Sequence, residues 1–227
     1  MTFLTEKKVR YEVFIHDKES QGFYDSYNEF IFSKDLKVLQ KLLFKHQVLL
    51  QTKDVPGDII ELGVFKGSGM VGWLKVLKIL GTNNKNVLGF DIFDQDSLVK
   101  GINTPDSELM GSLFTERKFD SKNYDIKLND VLTSIGFSNF SLIKGNVFDT
   151  LSNFLERNPG FRTSVINFDL DTDEPTYHCI DLLWDRLVPG GVMIFDEYAV
   201  SEWTESNAVD RFLSQKRIAQ YHKWNVH

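Results

Sequence analysis

Cysteine is almost absent from the sequence, since Cys179 is the single one in 227 residues. A lone cysteine forms no disulfide within the chain and no cluster of thiolate metal ligands. The first ten residues also lack the apolar run of roughly 7 to 15 residues that a secretory signal peptide needs. These absences argue against a disulfide-stabilised extracellular scaffold, and we expect a cytoplasmic protein.

Long hydrophobic runs and concentrated positive charge are missing too. The apolar helical segment at residues 71–80 is interrupted by Lys75 and Lys78 and is far shorter than the roughly 20 residues that span a bilayer. The 26 basic residues are scattered and are outnumbered by 32 acidic residues, which gives a net charge of −6. Proteins that bind nucleic acid usually carry a basic patch. We therefore expect neither a membrane nor a nucleic acid as a partner.

Apolar residues are plentiful, at 42% of the chain, and their spacing alternates between two periodicities. Short runs rich in β-branched residues predict strands at 58–64, 87–91, 140–143, 164–168 and 192–195. Residues spaced along one helix face predict helices at 67–80, 124–135, 147–157, 175–187 and 205–213. This order predicts an α/β fold with a mostly parallel sheet and helices on both faces.

The segments outside this alternation define the domain organisation. Leucines at near-helical spacing predict an N-terminal helical extension or lid over residues 1–55, and residues 56–227 have the length of one further domain. The polar stretch at 93–122 is too long for a simple connection and predicts a functional loop. The Pro-Gly-Gly sequence at 189–191 predicts a turn before the last strand. Residues 220–226 are the remaining candidate for a strand at the sheet edge.

Acidic residues stand at the carboxyl ends of four predicted strands, at Glu61, Asp91, Asp169 and the pair Asp196 and Glu197. In a parallel sheet these ends meet at one edge, where open α/β folds bind their ligands. The pattern therefore predicts one acidic cleft. The alternative is that each acid merely ends its strand in solvent.

A glycine turn follows the first predicted strand, with Gly63 and Gly67 as its fixed points. Its spacing matches neither the dinucleotide fingerprint nor the phosphate loop, which disfavours a pyrophosphate ligand. The glycines would let the backbone approach a ligand closely, and Asp91 could accept hydrogen bonds from ribose hydroxyls. Adenosine without phosphate fits both features, with Phe65 and Phe93 flanking it. The alternative is a turn whose glycines serve packing only.

Five motifs in this order resemble the macrocin O-methyltransferase family of class I S-adenosylmethionine-dependent methyltransferases. They are Glu61-x-Gly63-x-x-x-Gly67, Gly89-Phe-Asp91, the run from Lys144 through Asn146 to Leu151, Phe168-Asp169-Leu-Asp171-x-x-Glu174, and the run from Pro189 to Tyr198. The resemblance covers roughly residues 56–213. It implies a Rossmann-like class I methyltransferase fold, S-adenosylmethionine as cofactor, and Mg²⁺ or another divalent cation.

The resemblance also implies roles for individual residues. Asp169 matches the catalytic base and a metal ligand, and Asp196 and Glu197 match the other two metal ligands. The cofactor contacts that it implies are Glu61, Gly63, Val64, Phe65, Gly67, Ser68, Asp91, Phe93 and Asn146. Glu197 departs from the usual second aspartate, which leaves Asp171 and Asp173 as competing ligands or as caps of the following helix.

The function implied is transfer of a methyl group to a hydroxyl of a small metabolite, such as a sugar or a sugar-containing natural product. The alternatives are a catechol-type O-methyltransferase, a hydroxylase-like relative with the same fold, and a noncatalytic binding protein. The expected partners are a small-molecule acceptor and further copies of the chain, in a homodimer or a higher homo-oligomer.

Overall fold

The computed structural model describes residues 18–82, 84–94, 122–201 and 203–216. The described part begins with two helices, α1 (Lys18–Phe32) and α2 (Lys37–Thr52). One compact unit ends at Lys41 and the larger one begins at Leu42, so the second half of α2 belongs to the larger unit. The functional boundary expected near residue 55 stays a prediction.

The larger unit alternates strands with helices. Its elements are β1 (Asp58–Leu62), α3 (Ser68–Ile79), β2 (Val87–Asp91), α4 (Tyr124–Ser134), β3 (Phe140–Lys144), α5 (Val147–Arg157), β4 (Thr163–Phe168), α6 (Asp173–Leu183), a 3₁₀ turn (Trp184–Arg186), β5 (Leu187–Phe195) and α7 (Glu205–Gln215). The described strands form one sheet in the order β3-β2-β1-β4-β5, and every adjacent pair is parallel. The predicted α/β fold with a parallel sheet is confirmed.

The strands carry apolar side chains on both faces, because successive residues of a strand point to opposite sides. Ile59 belongs to the core on one face, and its neighbour Ile60 belongs to the core on the other. The first core includes residues of α2, α3 and α4, and the second includes residues of α5, α6 and α7. Cys179 is fully buried in the second core. Helices therefore cover both faces, as predicted.

The predicted bounds are correct where the apolar period is clear. Strand β2 and helix α5 have the bounds that the sequence predicts. The predicted turn at residues 189–191 is wrong, because these residues lie within β5. Thr163 pairs with Leu187 and Val165 pairs with Val192, so an irregularity in β5 absorbs the Pro-Gly-Gly sequence, with Gly190 at a φ of 86°.

Two predicted elements, a final strand and a long loop, lie wholly or mostly outside the residues that the structure describes. The candidate strand at 220–226 lies outside the described residues, as does most of the predicted loop at 93–122. Within the described ranges, no helix is both long and apolar enough to cross a membrane.

A buried lysine ties the amino ends of the strands together, at the edge opposite the acids. Lys85 is 2% exposed. Its Nζ donates hydrogen bonds to the carbonyl oxygen of Val55, to that of Gly57 at 2.9 Å and to Ser164 Oγ at 2.9 Å. Burial lowers the pKa of Lys85, and the negative charges of Asp58 and Asp54 act in the opposite direction.

Replacing Lys85 by methionine is expected to destabilise the protein by about 3 kcal/mol, since one buried and two partly buried acceptors lose this donor. Urea unfolding followed by circular dichroism measures this loss. Lys75→Met, on the exposed side of α3, is the matched control and should change the stability by less than about 0.5 kcal/mol. Equal effects of the two substitutions would contradict the assigned role of Lys85.

Candidate active site

The turn after β1 runs against the loop that follows β4. Gly63 adopts a φ of 88°, which favours glycine, and its N–H donates to the carbonyl oxygen of Phe90 at 2.9 Å. A Cβ on Gly63 would overlap the carbonyl oxygen of Asp169 and lie 2.7 Å from its carbonyl carbon. Gly67, at the N-cap of α3, also has a positive φ, of 85°. Gly63 and Gly67 thus occupy positions that require glycine, and because a Cβ at either one would clash with the protein itself, their observed role is packing.

Glu61 is buried beneath the first turn of α3, with 2% of its surface exposed. Its Oε2 accepts a hydrogen bond of 2.6 Å from the indole Nε1 of Trp73. A Cβ on Gly69 would lie 2.6 Å from the carboxyl carbon of Glu61, so the helix backbone lies directly against this carboxylate. The contact with Trp73 is not predictable from the sequence, because a residue twelve positions away reaches Glu61 only through the fold.

Asp91 fastens two loops to the end of β2. Its Oδ2 accepts hydrogen bonds of 2.8 Å from the N–H groups of Val64 and Phe65, and its Oδ1 accepts one of 2.7 Å from the N–H of Phe93. A carboxylate offers about four lone-pair positions, so one remains beyond these three bonds. Contact of Asp91 with a ribose stays a prediction, and the structure adds a second role in shaping both loops.

The other predicted cofactor contacts have different surroundings. The side chains of Val64 and Phe93 are packed in the hydrophobic core, at 3% and 4% exposure, whereas Phe65 is half-buried. Ser68 is exposed at the first position of α3. Asn146 caps α5, because its Oδ1 accepts a hydrogen bond of 3.1 Å from the N–H of Phe148. Their cofactor contacts stay predictions.

Two of the predicted metal ligands lie on adjacent strand ends. The N–H of Asp169 donates to the carbonyl oxygen of Leu62 at 2.8 Å, and the N–H of Asp196 donates to that of Phe168 at 3.0 Å. These bonds continue the sheet ladder one residue beyond the strands, with Asp169 beside the end of β1 and Asp196 beside the end of β4. Both residues are half-buried. The structure thus brings the two acids to one edge, as the strand order predicts.

The competing acids after β4 have distinct environments. Asp171 adopts a positive φ of 63°. Asp173 is the first residue of α6, and its Oδ1 lies 2.9 Å from Nη2 of Arg211 on α7. An acid in the first turn of a helix interacts favourably with the helix dipole. These contacts favour the structural role of Asp173.

A further acid, Glu205, belongs to this region, and no motif in the sequence distinguishes it. It is the first residue of α7 and is fully buried, and its Oε1 accepts a hydrogen bond of 3.1 Å from the N–H of Glu197. The pKa of Glu205 is raised to about 9, mainly by burial and also by the charges of Asp169, Asp171 and Asp196, while the hydrogen bond from Glu197 acts in the opposite direction. The four acids therefore share one electrostatic environment.

The proton on Glu205 makes the stability depend on pH. Between its ordinary pKa of 4.5 and the folded-state value of about 9, the folded chain keeps a proton that the unfolded chain loses. The contribution of Glu205 is therefore complete below pH 4.5 and declines by up to about 1.4 kcal/mol per pH unit as the pH rises toward 9.

Glu205→Gln mimics the protonated side chain and should remove this decline. In urea unfolding with a chelator present, wild-type stability should fall more steeply between about pH 6 and pH 8 than that of Glu205→Gln, because only the wild type exchanges this proton. Parallel pH profiles would contradict the raised pKa.

Backbone strain marks the same edge of the sheet. Of the five described non-glycine residues with positive φ, four follow the strands β1, β2, β4 and β5, namely Phe65, Phe93, Asp171 and Ala199. Such conformations cost free energy and are concentrated in functional sites. This signal is independent of the acids and locates the site at the same place.

The chemistry of the donors fits a divalent cation, since Mg²⁺ binds carboxylate oxygens and keeps several waters. The acids are close enough for three of them to raise the pKa of a fourth. Among the residues that the structure describes, however, no three His, Cys, Asp or Glu side chains are arranged to hold a metal ion. A cation held by Asp169, Asp196 and Glu197 therefore stays a prediction.

Sheet order, helices on both faces and an acid-lined edge define a Rossmann-like protein of the class I methyltransferase type. Two solved structures share this fold. The apo structure of CalS11, a TDP-rhamnose 3′-O-methyltransferase of calicheamicin biosynthesis, matches 94% of this chain and 93% of its own, with 20% identity and a TM-score of 0.60. The O-methyltransferase NovP matches 80% of this chain and 74% of its own, with 20% identity and a TM-score of 0.63.

The family model of macrocin O-methyltransferase (TylF) matches residues 31–224, and the chain belongs to this family. The resemblance found in the motifs is thereby confirmed.

Two curated relatives are similar over most of the chain. A Streptomyces olivaceus protein, 8-demethyl-8-(2,3-dimethoxy-alpha-L-rhamnosyl)-tetracenomycin-C 4′-O-methyltransferase, is 28% identical over 168 residues, which are 73% of this chain and 61% of the relative. Mycinamicin III 3″-O-methyltransferase of Micromonospora griseorubida is 26% identical over 157 residues, which are 67% of this chain and 59% of the relative. The chain thus spans about three fifths of the length of these relatives.

Proposed function

We propose that this chain is an S-adenosylmethionine-dependent O-methyltransferase that methylates a hydroxyl of a sugar or sugar-containing natural product with the help of a divalent cation. The observation that carries the proposal is the pair of backbone hydrogen bonds that set Asp169 and Asp196 on adjacent strand ends. Family membership supports the reaction type. Both curated relatives are named as O-methyltransferases, one of a rhamnosyl-tetracenomycin and one of mycinamicin III, which supports a glycosylated acceptor.

The turn after β1 is proposed to hold the cofactor. Gly63 and Gly67 shape this turn, because they allow it to pack against the backbone of Asp169 and the side chain of Leu128. Asp91 retains a lone-pair position for a ribose hydroxyl after accepting three backbone hydrogen bonds. The remaining proposed contacts are Glu61, Val64, Phe65, Ser68, Phe93 and Asn146. A buried residue such as Val64 would contribute through its backbone, since its side chain lies in the core.

Asp169 is proposed to be the base. An aspartate with an ordinary pKa near 3.9 faces a hydroxyl whose pKa, if close to that of water at about 15.7, lies about 12 pKa units higher, or roughly 16 kcal/mol. A divalent cation held by Asp169, Asp196 and Glu197 would lower the pKa of the hydroxyl. Asp169 accepts the proton while the acceptor oxygen attacks the sulfonium methyl group. The C–O bond forms as the C–S bond breaks, and S-adenosylhomocysteine leaves as a neutral thioether.

Cytoplasmic location and self-association complete the proposal. The buried Cys179 and the lack of a second cysteine suit a reducing compartment. Apolar side chains on α1 are exposed in the single chain, with Phe23 at 74% and Phe32 at 80% exposure, and contact with a second copy would cover them. Light scattering coupled to size exclusion should give the mass of a dimer or a larger oligomer, and a monomer would exclude this part.

Methyl transfer from S-adenosylmethionine labelled in its methyl group tests the proposed reaction. Acceptors are glycosides with free sugar hydroxyls, with a catechol for comparison, each with Mg²⁺ or with a chelator. We expect the label on a sugar hydroxyl, detected by mass spectrometry, only when the cation is present. Transfer to the catechol alone, or transfer that the chelator leaves unchanged, would contradict the proposal. Calorimetry should show binding of S-adenosylhomocysteine but not of NAD, and the absence of S-adenosylhomocysteine binding would exclude the reaction.

A further inference from the structure

Three consecutive residues at the start of α7, which we call the α7 clamp (Thr204, Glu205 and Ser206), contact both acid-bearing loops. Thr204 Oγ1 accepts a hydrogen bond of 3.0 Å from the N–H of Asp173 in the segment that follows β4. Glu205 Oε1 accepts one of 3.1 Å from the N–H of Glu197 after β5. A single helix end thus fastens the loop that carries Asp169 to the loop that carries Asp196.

Two more contacts secure the loop after β5. Ser206 Oγ accepts a hydrogen bond of 2.8 Å from the N–H of Ala199, and the hydroxyl of Tyr198 donates one of 2.8 Å to Oδ1 of Asp210 on α7. Ala199 has a positive φ of 67°, a strained conformation that the bond to Ser206 helps to hold. Side chains of α7 therefore hold the backbone N–H groups of Glu197 and Ala199 and the side-chain hydroxyl of Tyr198 between them.

Glu205 is the buried member of the α7 clamp. It is fully buried, and within the described part of the chain its Oε2 has no hydrogen-bond partner. Leaving a buried polar atom without a partner costs free energy, which natural structures usually avoid. The position therefore bears a cost that a smaller apolar residue would not incur.

We propose that the α7 clamp positions the acids of the site and that Glu205 is the positioning residue for Asp196 and Glu197. Glu205 acts through the backbone of Glu197 and does not itself touch the reacting atoms. The inference rests on the proposed function, because the acids that it orients are the proposed cation ligands. Residues that orient metal ligands are needed nearly as much as the ligands themselves.

Two substitutions of Glu205 separate positioning from other roles. Glu205→Ala removes the acceptor for the N–H of Glu197, whereas Glu205→Gln keeps an amide oxygen there. Glu156→Gln, on an exposed position of α5, is the matched control. The probe is Mn²⁺, whose dissociation constant is measured by electron paramagnetic resonance, together with calorimetry of S-adenosylhomocysteine and kcat for methyl transfer.

We expect Glu205→Ala to weaken Mn²⁺ binding by about 10- to 100-fold and to lower kcat by a similar factor. Binding of S-adenosylhomocysteine should stay unchanged, and Glu205→Gln should restore both values. If Glu205→Ala does not fold, Ser206→Ala and Thr204→Val, which each remove one bond, should weaken Mn²⁺ binding in the same direction. A Glu205→Ala variant with lowered thermal stability but wild-type Mn²⁺ affinity and kcat would overturn the proposal, as would Glu205→Gln behaving like Glu205→Ala.

Hydrogen exchange of the backbone separates failure of this inference from failure of the proposed function. In Glu205→Ala the amide of Glu197 should exchange faster than in the wild type, and in Glu205→Gln it should stay protected, while the amide of Ala199 keeps its acceptor on Ser206 in both variants. This readout requires neither cation nor cofactor. Wild-type protein that bound neither Mn²⁺ nor S-adenosylhomocysteine would exclude the proposed function, whereas unchanged exchange in Glu205→Ala would exclude positioning by Glu205.

Discussion

Asp169→Asn should lower the rate of methyl transfer by about 10²- to 10⁴-fold, the usual contribution of a general base. The amide keeps the shape of the side chain but does not act as a base, and it binds a cation more weakly than the carboxylate does. The backbone bond from Asp169 to Leu62 remains, so the loop after β4 keeps its place. Binding of S-adenosylhomocysteine should therefore change little, and calorimetry beside the kinetic assay measures this difference.

Asp181→Asn is the matched control, because Asp181 is an exposed acid on α6 away from the strand ends. It should transfer methyl groups at the wild-type rate. If Asp169→Asn and Asp181→Asn had similar rates, Asp169 would not be the base. A parallel loss of S-adenosylhomocysteine binding in Asp169→Asn would instead place Asp169 in the cofactor site.

Gly63→Ala is expected to impair cofactor binding and stability together. The added methyl group would overlap the carbonyl oxygen of Asp169, and the alanine would also have to adopt a φ of 88°. The left-handed conformation alone costs roughly 1 to 2 kcal/mol, and the overlap adds to it. Separation of the turn from the loop after β4 should weaken binding of S-adenosylhomocysteine by at least about tenfold, or 1.4 kcal/mol.

Gly81→Ala separates backbone strain from steric overlap. Gly81 also has a positive φ, of 68°, but a Cβ there meets no described atom within 4 Å. The Gly81→Ala variant should therefore lose only roughly 1 to 2 kcal/mol of stability, the cost of the left-handed backbone conformation, and should bind S-adenosylhomocysteine like the wild type. Equal losses of stability in the two variants, with unchanged binding in both, would contradict the close contact between the turn and the loop.

The sequence predicts the fold well because the relevant signals are local. The apolar run of β2 and the helical period of α5 end at clear polar or glycine residues, and both elements have their predicted bounds. The Pro-Gly-Gly sequence leads to a wrong prediction, because the same residues are typical of a turn before a strand and of a bulge within one. Only the pairing of β5 with β4 shows which of the two occurs.

The site is predictable only in part, because the hydrogen-bond partners and the burial of its side chains depend on tertiary packing. The placement of Asp169 and Asp196 at one edge follows from a parallel sheet, which the alternation of strands and helices predicts, whereas the adjacency of their strands is seen only in the sheet order. The bond between Glu61 and Trp73 and the burial of Glu205 do not follow, since a first-turn acid of a surface helix has the same sequence signature as Glu205. The sequence predicts a ligand contact for Asp91, and only the structure shows that its carboxylate also holds the two neighbouring loops.

The proposed reaction depends on a cation held by the strand-end acids beside the methyl group of the cofactor. The most direct test is the paramagnetic effect of bound Mn²⁺ on the ¹³C-labelled methyl group of S-adenosylmethionine in the complex. We predict that bound Mn²⁺ strongly broadens the methyl signal in the wild type. In Asp169→Asn, at matched cofactor occupancy, we predict that this broadening disappears. A methyl signal that stays sharp while both Mn²⁺ and cofactor are bound would contradict the account.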